Sequence, residues 1–157
     1  MIQVLFVCLG NICRSPTADG IFRHFIEDAG LQDKVYVDSA GTGDWHIGRA
    51  PDPRSQAAAR QRGYDLSMLR ARQVSSVDFS RFDYILAMDN ANLRDLQRMK
   101  PANYQGHLGL FLAFGERQDY REVPDPYYGE NDGFELVLDL VEDAARGLLT
   151  DIRQRHL

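Results

Sequence analysis

The stretch Cys8-Leu9-Gly10-Asn11-Ile12-Cys13-Arg14-Ser15 decides the fold of this chain of 157 residues. The apolar run 4–7 leads into it and is typical of a buried strand. Ser15 is predicted to cap a following helix, and Pro16 suits its first position, where a missing N–H costs nothing. Apolar residues then recur with helical spacing at Ala18, Ile21, Phe22, Phe25, Ile26 and Ala29. The sequence therefore predicts a strand, a tight loop and a helix.

The same loop brings together three groups that suit phosphoryl transfer. Backbone N–H groups above a helix N-terminus form an anion site. Such a site favours the thiolate of Cys8, which is the nucleophilic form of cysteine. Arg14 adds a planar guanidinium that can hold two phosphate oxygens. A cysteine is often only a small buried side chain, but the strand before the loop and the helix start after it favour the functional interpretation.

Composition and charge narrow the class of protein. The apolar content is 44%, enough for the core of one globular domain spanning residues 1–157. No apolar run approaches the ~20 residues that span a bilayer, and no secretory signal is visible. The net charge of −5 argues against a nucleic-acid partner. We therefore expect a cytoplasmic protein that binds neither a membrane nor nucleic acid.

The rest of the chain alternates between strand and helix patterns. Strands are predicted at 34–39, 82–88 and 108–114. Helices are predicted after a cap at Asp52, stopping at Gly63, after a cap at Asp89, ending before Pro101, and over 134–152. For 108–114, periodicity alone does not exclude a helix. The alternation predicts a single-domain α/β fold with three layers, α/β/α, around a central four-stranded parallel sheet. Ligands of such sheets bind at the carboxyl ends of strands, where Cys8 lies.

Residues 7–16, Val7-Cys8-Leu9-Gly10-Asn11-Ile12-Cys13-Arg14-Ser15-Pro16, resemble the phosphate-binding loop of the low-molecular-weight protein tyrosine phosphatases. The resemblance implies that Cys8 is the nucleophile and that Ser15 helps its thiolate leave in the second step. It also implies that Asn11, in a left-handed conformation that asparagine tolerates, and Ser39 support the loop. The phosphate would be bound by Leu9, Gly10, Asn11, Ile12, Cys13 and Arg14.

A general acid is expected in Val123-Pro124-Asp125-Pro126-Tyr127-Tyr128, because a phenolate leaves poorly unless it is protonated. From spacing alone, Asp125-Pro126 is equally consistent with an ordinary turn. The resemblance to the family, which carries its acid in this motif, assigns the role to Asp125.

The walls of the substrate pocket are also assigned by resemblance. A phosphotyrosine ring needs flat apolar surfaces above the anion site. Trp45, Ile12, Tyr127 and Tyr128 are expected to supply them. The paired tyrosines resemble phosphorylation sites of the family. The chain departs from the family at Leu69, where many members have a histidine that contacts the loop asparagine, so the loop is expected to be braced differently.

The predicted function is that of a protein tyrosine phosphatase acting through a cysteinyl-phosphate intermediate, with no metal and no cofactor. Expected partners are phosphotyrosine-containing proteins, small aryl phosphates, and inorganic phosphate as a product inhibitor. An arsenate reductase would need further cysteines, and the chain has none beyond Cys13. Two alternatives stay open: a phosphoarginine phosphatase, although that class tends to have threonine at Ile12, and a non-enzymatic phosphotyrosine-binding module.

The second cysteine has two interpretations. Cys8 and Cys13 share one loop, which is typical of catalytic or redox thiols in a reducing compartment. If the sulfurs are close, Cys13 can trap an oxidised Cys8 as a disulfide. Alternatively, Cys13 only fills space under the loop.

Overall fold

The computed structural model describes residues 1–126 and 132–157. Its strands are β1 (Ile2–Cys8), β2 (Val35–Gly41), β3 (Tyr84–Ala87) and β4 (His107–Leu110). Its helices are α1 (Arg14–Asp28), α2 (Pro53–Gln61), α3 (Asp78–Arg81), α4 (Asn90–Met99) and α5 (Asp132–His156), with a 3₁₀ helix at Phe111–Phe114. The strands are parallel and lie in the order β2-β1-β3-β4.

Strand β1 lies in the middle of the molecule because both of its faces are apolar. Val4 and Phe6 pack in one core with α1 and α5, whereas Leu5 and Val7 pack in a second core with residues of α3 and α4. A strand buried on both faces has a continuous apolar sequence, as this one does. The predicted three-layer α/β/α fold with a four-stranded parallel sheet is confirmed.

The register of the sheet brings the strand ends together at one edge. Cys8 pairs with Gly41, and Val7 pairs with both Ala40 and Ala87. The chain leaving β2 then follows the loop that leaves β1, because Thr42 N donates to Cys8 O at 2.9 Å. The loop after β1 is therefore fixed both by its own strand and by a hydrogen bond from the segment that follows β2.

The predicted element ends are largely right where capping chemistry is explicit. The Asp52 side chain accepts from Arg54 N, and the Asp89 side chain accepts from Asn92 N, each at 2.8 Å. The predicted cap at Ser15 is wrong. The N-cap of α1 is Cys13, without a side-chain hydrogen bond, and the Ser15 hydroxyl is used inside the loop instead.

The predicted strand over 108–114 is half wrong. The chain pairs with β3 only as far as Leu110 and then turns into the 3₁₀ helix. The turn buries Phe111 and places its ring 4.9 Å from that of Phe6, centroid to centroid, so the apolar run continues into the core rather than along the sheet edge. Within the described residues, no helix is long and apolar enough to cross a membrane.

Helix α5 lies so close to the 3₁₀ helix that Gly147 has no room for a side chain. A Cβ there would overlap Phe114 O, which is backbone and cannot rotate away. Alanine normally stabilises a helix interior relative to glycine. We expect Gly147→Ala to lower the free energy of unfolding by about 2 kcal/mol, because overpacking outweighs helix propensity. Urea unfolding measures it.

Gly133 in the same helix is the matched control. Among the described residues, the atom nearest to a Cβ there would be Pro126 Cβ at 3.5 Å, an ordinary contact. Gly133→Ala should therefore leave the unfolding free energy unchanged or raise it by at most about 1 kcal/mol. Equal stability of the two variants would contradict the close approach of α5 to Phe114.

Candidate active site

The Cys8 sulfur is at the centre of the loop between β1 and α1. Cys8 is the last residue of β1 and is 2% exposed. Its Sγ lies 3.0 Å from Ser15 Oγ and accepts a hydrogen bond from Asn11 N at 3.2 Å. The Asn11 N–H therefore donates to the sulfur and the Ser15 hydroxyl is within hydrogen-bond distance of it, an arrangement that can stabilise a negative charge on the sulfur.

Asn11 holds the curve of the loop. Its φ of 58° is the only positive value of a residue other than glycine in the described part of the chain. The side-chain amide donates to Ser15 Oγ at 2.7 Å and to Ser39 Oγ at 3.0 Å, and its oxygen accepts from Arg72 N at 2.9 Å. Both amide hydrogens and the carbonyl are thus bonded, which fixes the orientation of the group.

The contact with Arg72 explains how the loop is braced without the histidine of the family pattern. Leu69 packs at the edge of the core instead. The backbone N–H of Arg72 reaches Asn11, and the Arg72 guanidinium forms ion pairs with Asp38 and Asp78 at 3.1 Å. In this chain a backbone donor, in a residue whose side chain is held by two carboxylates, therefore braces the loop.

Arg14 is buried, and its guanidinium is bound by two carboxylates and a backbone carbonyl. Nη1 donates to Asp89 Oδ2 at 2.6 Å and to Val123 O at 3.1 Å, and Nη2 lies 3.5 Å from Asp125 Oδ2. Burial alone would lower the pKa of Arg14, but the facing Cys8, Asp89 and Asp125 outweigh it and raise the pKa. The site keeps a fixed positive charge beside the sulfur.

These groups open into one cavity of about 350 Å³. Trp45, 64% exposed, forms one wall. Its ring lies over Gly43, where a Cβ would overlap the indole, so only glycine permits this placement. The lining residues are Cys8, Leu9, Gly10, Ile12, Cys13, Arg14, Trp45, His46 and Asp125. A deep polar floor and an aromatic wall suit an aryl phosphate.

The sequence-predicted residues are largely brought together. Asn11 and Ser15 lie beneath the cavity, with Ser39 bonded to Asn11. Tyr127 and Tyr128 lie outside the described residues.

The sequence analysis did not identify three groups that contribute to the candidate active site. Asp89 was expected only as a helix cap, although its place directly after a strand end could have suggested a carboxylate at the site. His46 lines the cavity, and its position beside Trp45 was the available signal. The backbone role of Arg72 leaves no signal in residue type.

Cys13 lies under the loop and is 4% exposed. Burial raises the pKa of its thiol to about 12, against the opposing effect of a hydrogen bond with Ser55. The negative charge of Cys8 also raises this pKa, and both cysteines line the same cavity. Cys13 is therefore a neutral thiol at pH 7.

In residues 1–126 and 132–157, no three His, Cys, Asp or Glu side chains gather in a group able to hold a metal ion. The chain therefore offers the anion site described above and, within those residues, no comparable cation site.

Comparison with known proteins agrees with this geometry. The chain is 45% identical over 154 residues to a low molecular weight protein-tyrosine-phosphatase of Bacillus subtilis, covering 98% of this chain and 97% of that one. A crystal structure of a protein tyrosine phosphatase from Entamoeba histolytica, with Hepes in its active site, superimposes with a TM-score of 0.95 at 40% identity, covering 100% of both chains. An arginine phosphatase from Drosophila superimposes with a TM-score of 0.90 at 33% identity and 98% coverage of both.

The family model described as low molecular weight phosphotyrosine protein phosphatase matches residues 3–156. With both the family model and full-length relatives in agreement, the chain belongs to the low molecular weight phosphotyrosine protein phosphatase family.

Proposed function

We propose that this protein is a protein tyrosine phosphatase that hydrolyses phosphotyrosine through a phosphorylated Cys8. One observation carries the proposal. The Cys8 sulfur receives hydrogen bonds at the bottom of a cavity that also contains the Arg14 guanidinium and the Asp125 carboxyl. Nucleophile, anion site and acid thus face one volume the size of an aryl phosphate. Residues 1–157 act as one domain in this proposal.

In the first step, the Cys8 thiolate attacks phosphorus and the bond from phosphorus to the tyrosine oxygen breaks. Arg14 and backbone N–H groups of the loop hold the three remaining phosphate oxygens, whereas the N–H of Asn11 donates to the sulfur. Asp125 gives its proton to the departing tyrosine oxygen. Its Oδ2 lies 3.5 Å from Arg14 Nη2, so the acid is already beside the phosphate position.

In the second step, Asp125, now a carboxylate, takes a proton from water as the water oxygen attacks phosphorus. The sulfur–phosphorus bond breaks and the electron pair returns to Cys8. Ser15 Oγ, 3.0 Å from the sulfur, stabilises that returning charge. Inorganic phosphate leaves the site and, because it fits the same groups, acts as a product inhibitor. Arg14 and the loop supply the positive charge, so no metal or organic cofactor takes part in the proposed steps.

The walls support an aromatic substrate. Ile12, 9% exposed, and Trp45 line the cavity above the loop. We propose that the phosphotyrosine ring of a protein, or a small aryl phosphate, lies between them. Tyr127 and Tyr128, which lie outside the described residues, remain proposed substrate-binding residues by resemblance to the family.

Phosphoarginine is the second candidate substrate, favoured by the similarity to the Drosophila arginine phosphatase. Ile12 argues against it, because an apolar side chain in the wall offers a guanidinium no hydrogen bond. Comparing kcat/KM for phosphoarginine with that for phosphotyrosine decides between the two.

The proposed nucleophile is tested with p-nitrophenyl phosphate. We expect turnover by the wild type in the presence of EDTA, and turnover by Cys8→Ser below about one hundredth of it, because serine supplies no thiolate-like nucleophile. Phosphate binding and the unfolding transition of the variant should persist and serve as the control. Activity above that level would remove Cys8 from the mechanism, and an inactive wild type that binds phosphotyrosine would indicate a binding module.

The proposed acid is tested with leaving groups of different basicity. Asp125→Ala should lower kcat on phosphotyrosine by roughly 10²–10⁴-fold, the usual contribution of general acid catalysis. The loss should shrink for aryl phosphates whose phenolate leaves without a proton. An equal loss for every leaving group would place the acid elsewhere.

The proposed redox pair is tested with hydrogen peroxide. Peroxide converts the Cys8 thiolate to a sulfenic acid, and the Cys13 thiol then displaces water to form a disulfide that a thiol reductant reopens. We expect the wild type to recover its activity with reductant, and Cys13→Ser to recover far less of its own starting activity. Because the pKa of Cys13 is about 12, little of it is thiolate, so disulfide formation should accelerate as pH rises from 7 to 9. Equal recovery of both proteins would leave Cys13 with a packing role only.

A further inference from the structure

Asp19 is a buried carboxylate that no proposed step uses. It lies in α1 and is 1% exposed. Its Oδ1 accepts two hydrogen bonds from Arg23, at 3.2 Å and 2.8 Å. Its Oδ2 is equally buried and has no partner within 3.5 Å among the residues that the structure describes. A buried acceptor left over in this way is unfavourable and calls for a donor.

The nearest candidate donor is on strand β2. Arg23 Nη2 donates to Val37 O at 2.9 Å, which ties this part of α1 to β2 two residues before Ser39. Burial raises the pKa of Asp19, Arg23 and the Ser39 hydroxyl act to lower it, and Asp38 acts to raise it. Geometry places Ser39 opposite Asp19: Ser15 reaches Ala40 O and Arg23 reaches Val37 O, and Asp19 lies midway between Ser15 and Arg23 on the same face of α1.

The Ser39 hydroxyl needs an acceptor for its proton. Ser39 Oγ accepts from Asn11 Nδ2, so its own proton must point elsewhere. The Asn11 amide does not take that proton, because the atom that faces Ser39 is the donor Nδ2, whereas its oxygen faces Arg72 N. Asp19 Oδ2 thus lacks a donor, and the Ser39 hydroxyl lacks an acceptor for its proton.

The proton of the Ser15 hydroxyl points toward the Cys8 sulfur. Ser15 Oγ accepts from Asn11 Nδ2 at 2.7 Å, so the Ser15 proton is free to point at Cys8 Sγ, 3.0 Å away. The other acceptor within reach, Ala40 O, is farther at 3.4 Å. Asn11 is therefore the donor at the centre of the chain: one amide hydrogen goes to Ser15, which donates onward to the sulfur, and the other goes to Ser39, whose proton is left for the carboxylate.

We propose that Asp19 is a positioning residue for Cys8: it accepts the Ser39 proton, and through Ser39 and Asn11 it keeps the Ser15 hydroxyl pointed at the sulfur. Ser15 stabilises the charge that returns to Cys8 when the intermediate is hydrolysed. Loss of the carboxylate should therefore act on kcat rather than on KM. The turnover readout rests on the proposed phosphatase function, whereas the reactivity of the sulfur does not.

The test replaces Asp19 by asparagine, which keeps the shape but brings an N–H₂ group into the space of a carboxylate. If that group faces Ser39, it competes with Asn11 for the same oxygen and leaves the Ser39 proton without an acceptor. Asp19→Asn should lower kcat on p-nitrophenyl phosphate about tenfold, the effect of one buried hydrogen bond to a charged group, with KM within about twofold of wild type.

Asp151 provides a matched control at the opposite end of the sheet. Its Oδ2 accepts from the Tyr84 hydroxyl at 2.7 Å, and its Oδ1 accepts from Arg155, four residues later, at 2.8 Å. It thus has a hydroxyl and an i+4 arginine like Asp19, but no connection with the loop. Asp151→Asn should leave kcat within about twofold of wild type.

A double-mutant cycle locates the effect. Ser39→Ala removes the link between Asp19 and Asn11, so adding Asp19→Asn to it should cost little further kcat. If the two losses multiply instead, Asp19 does not act through Ser39 and the proposal is overturned.

Alkylation of Cys8 by iodoacetate gives a readout that needs no turnover. Sulfur displaces iodide, and the rate at pH 6 follows the thiolate. It should fall several-fold in Asp19→Asn and not in Asp151→Asn. Unchanged alkylation and unchanged kcat would overturn the proposal. An inactive wild type would overturn the proposed function alone, since alkylation would still decide the role of Asp19.

If Asp19→Asn does not fold, Asp19→Ala replaces it. That variant leaves no buried charge, because Arg23 is 45% exposed at its side chain and can turn to solvent. The same losses of kcat and alkylation rate are expected, and wild-type values of both would overturn the role of Asp19 here too.

Discussion

The structure depends on one side-chain amide. Asn11 turns the chain into a left-handed conformation that most residues avoid, and its three hydrogen bonds reach α1, β2 and the segment at Arg72. Its backbone N–H also points at the Cys8 sulfur. The curve of the loop, the donors around the sulfur and the packing of three chain segments are therefore consequences of a single fully bonded group.

The sheet supplies the rigidity that this arrangement needs. Because β1 is buried on both faces, Cys8 ends a strand that is packed in both cores of the molecule. The neighbouring strand ends bring further groups to the same edge: Asp89 follows β3, and Val123 N donates to Met88 O at 2.8 Å. That bond places the segment carrying Asp125 beside Arg14. Side chains far apart in sequence meet because parallel strands end at one edge.

The sequence was informative where local chemistry determines structure. The apolar run before Cys8 and the acidic caps at Asp52 and Asp89 predict elements that the structure contains. Ser15 shows the limit of such reasoning. A serine at a helix start is normally a cap, but here its hydroxyl accepts a hydrogen bond from Asn11 Nδ2 and lies 3.0 Å from Cys8 Sγ. The brace from Arg72 N could not be foreseen, since every residue other than proline carries that donor.

Asp89 has two roles in the structure, and they cannot be separated. One oxygen caps the first turn of α4 and the other holds the Arg14 guanidinium. Fraying of that turn and release of the arginine are thus one event in a thermodynamic cycle. An oxyanion binds more tightly when the first turn of α4 is closed, because the closed turn keeps Asp89 on Arg14. By linkage, the bound oxyanion must stabilise the closed turn by the same free energy. Occupancy of the site is therefore reported by the amide hydrogen exchange of a helix that contacts no ligand.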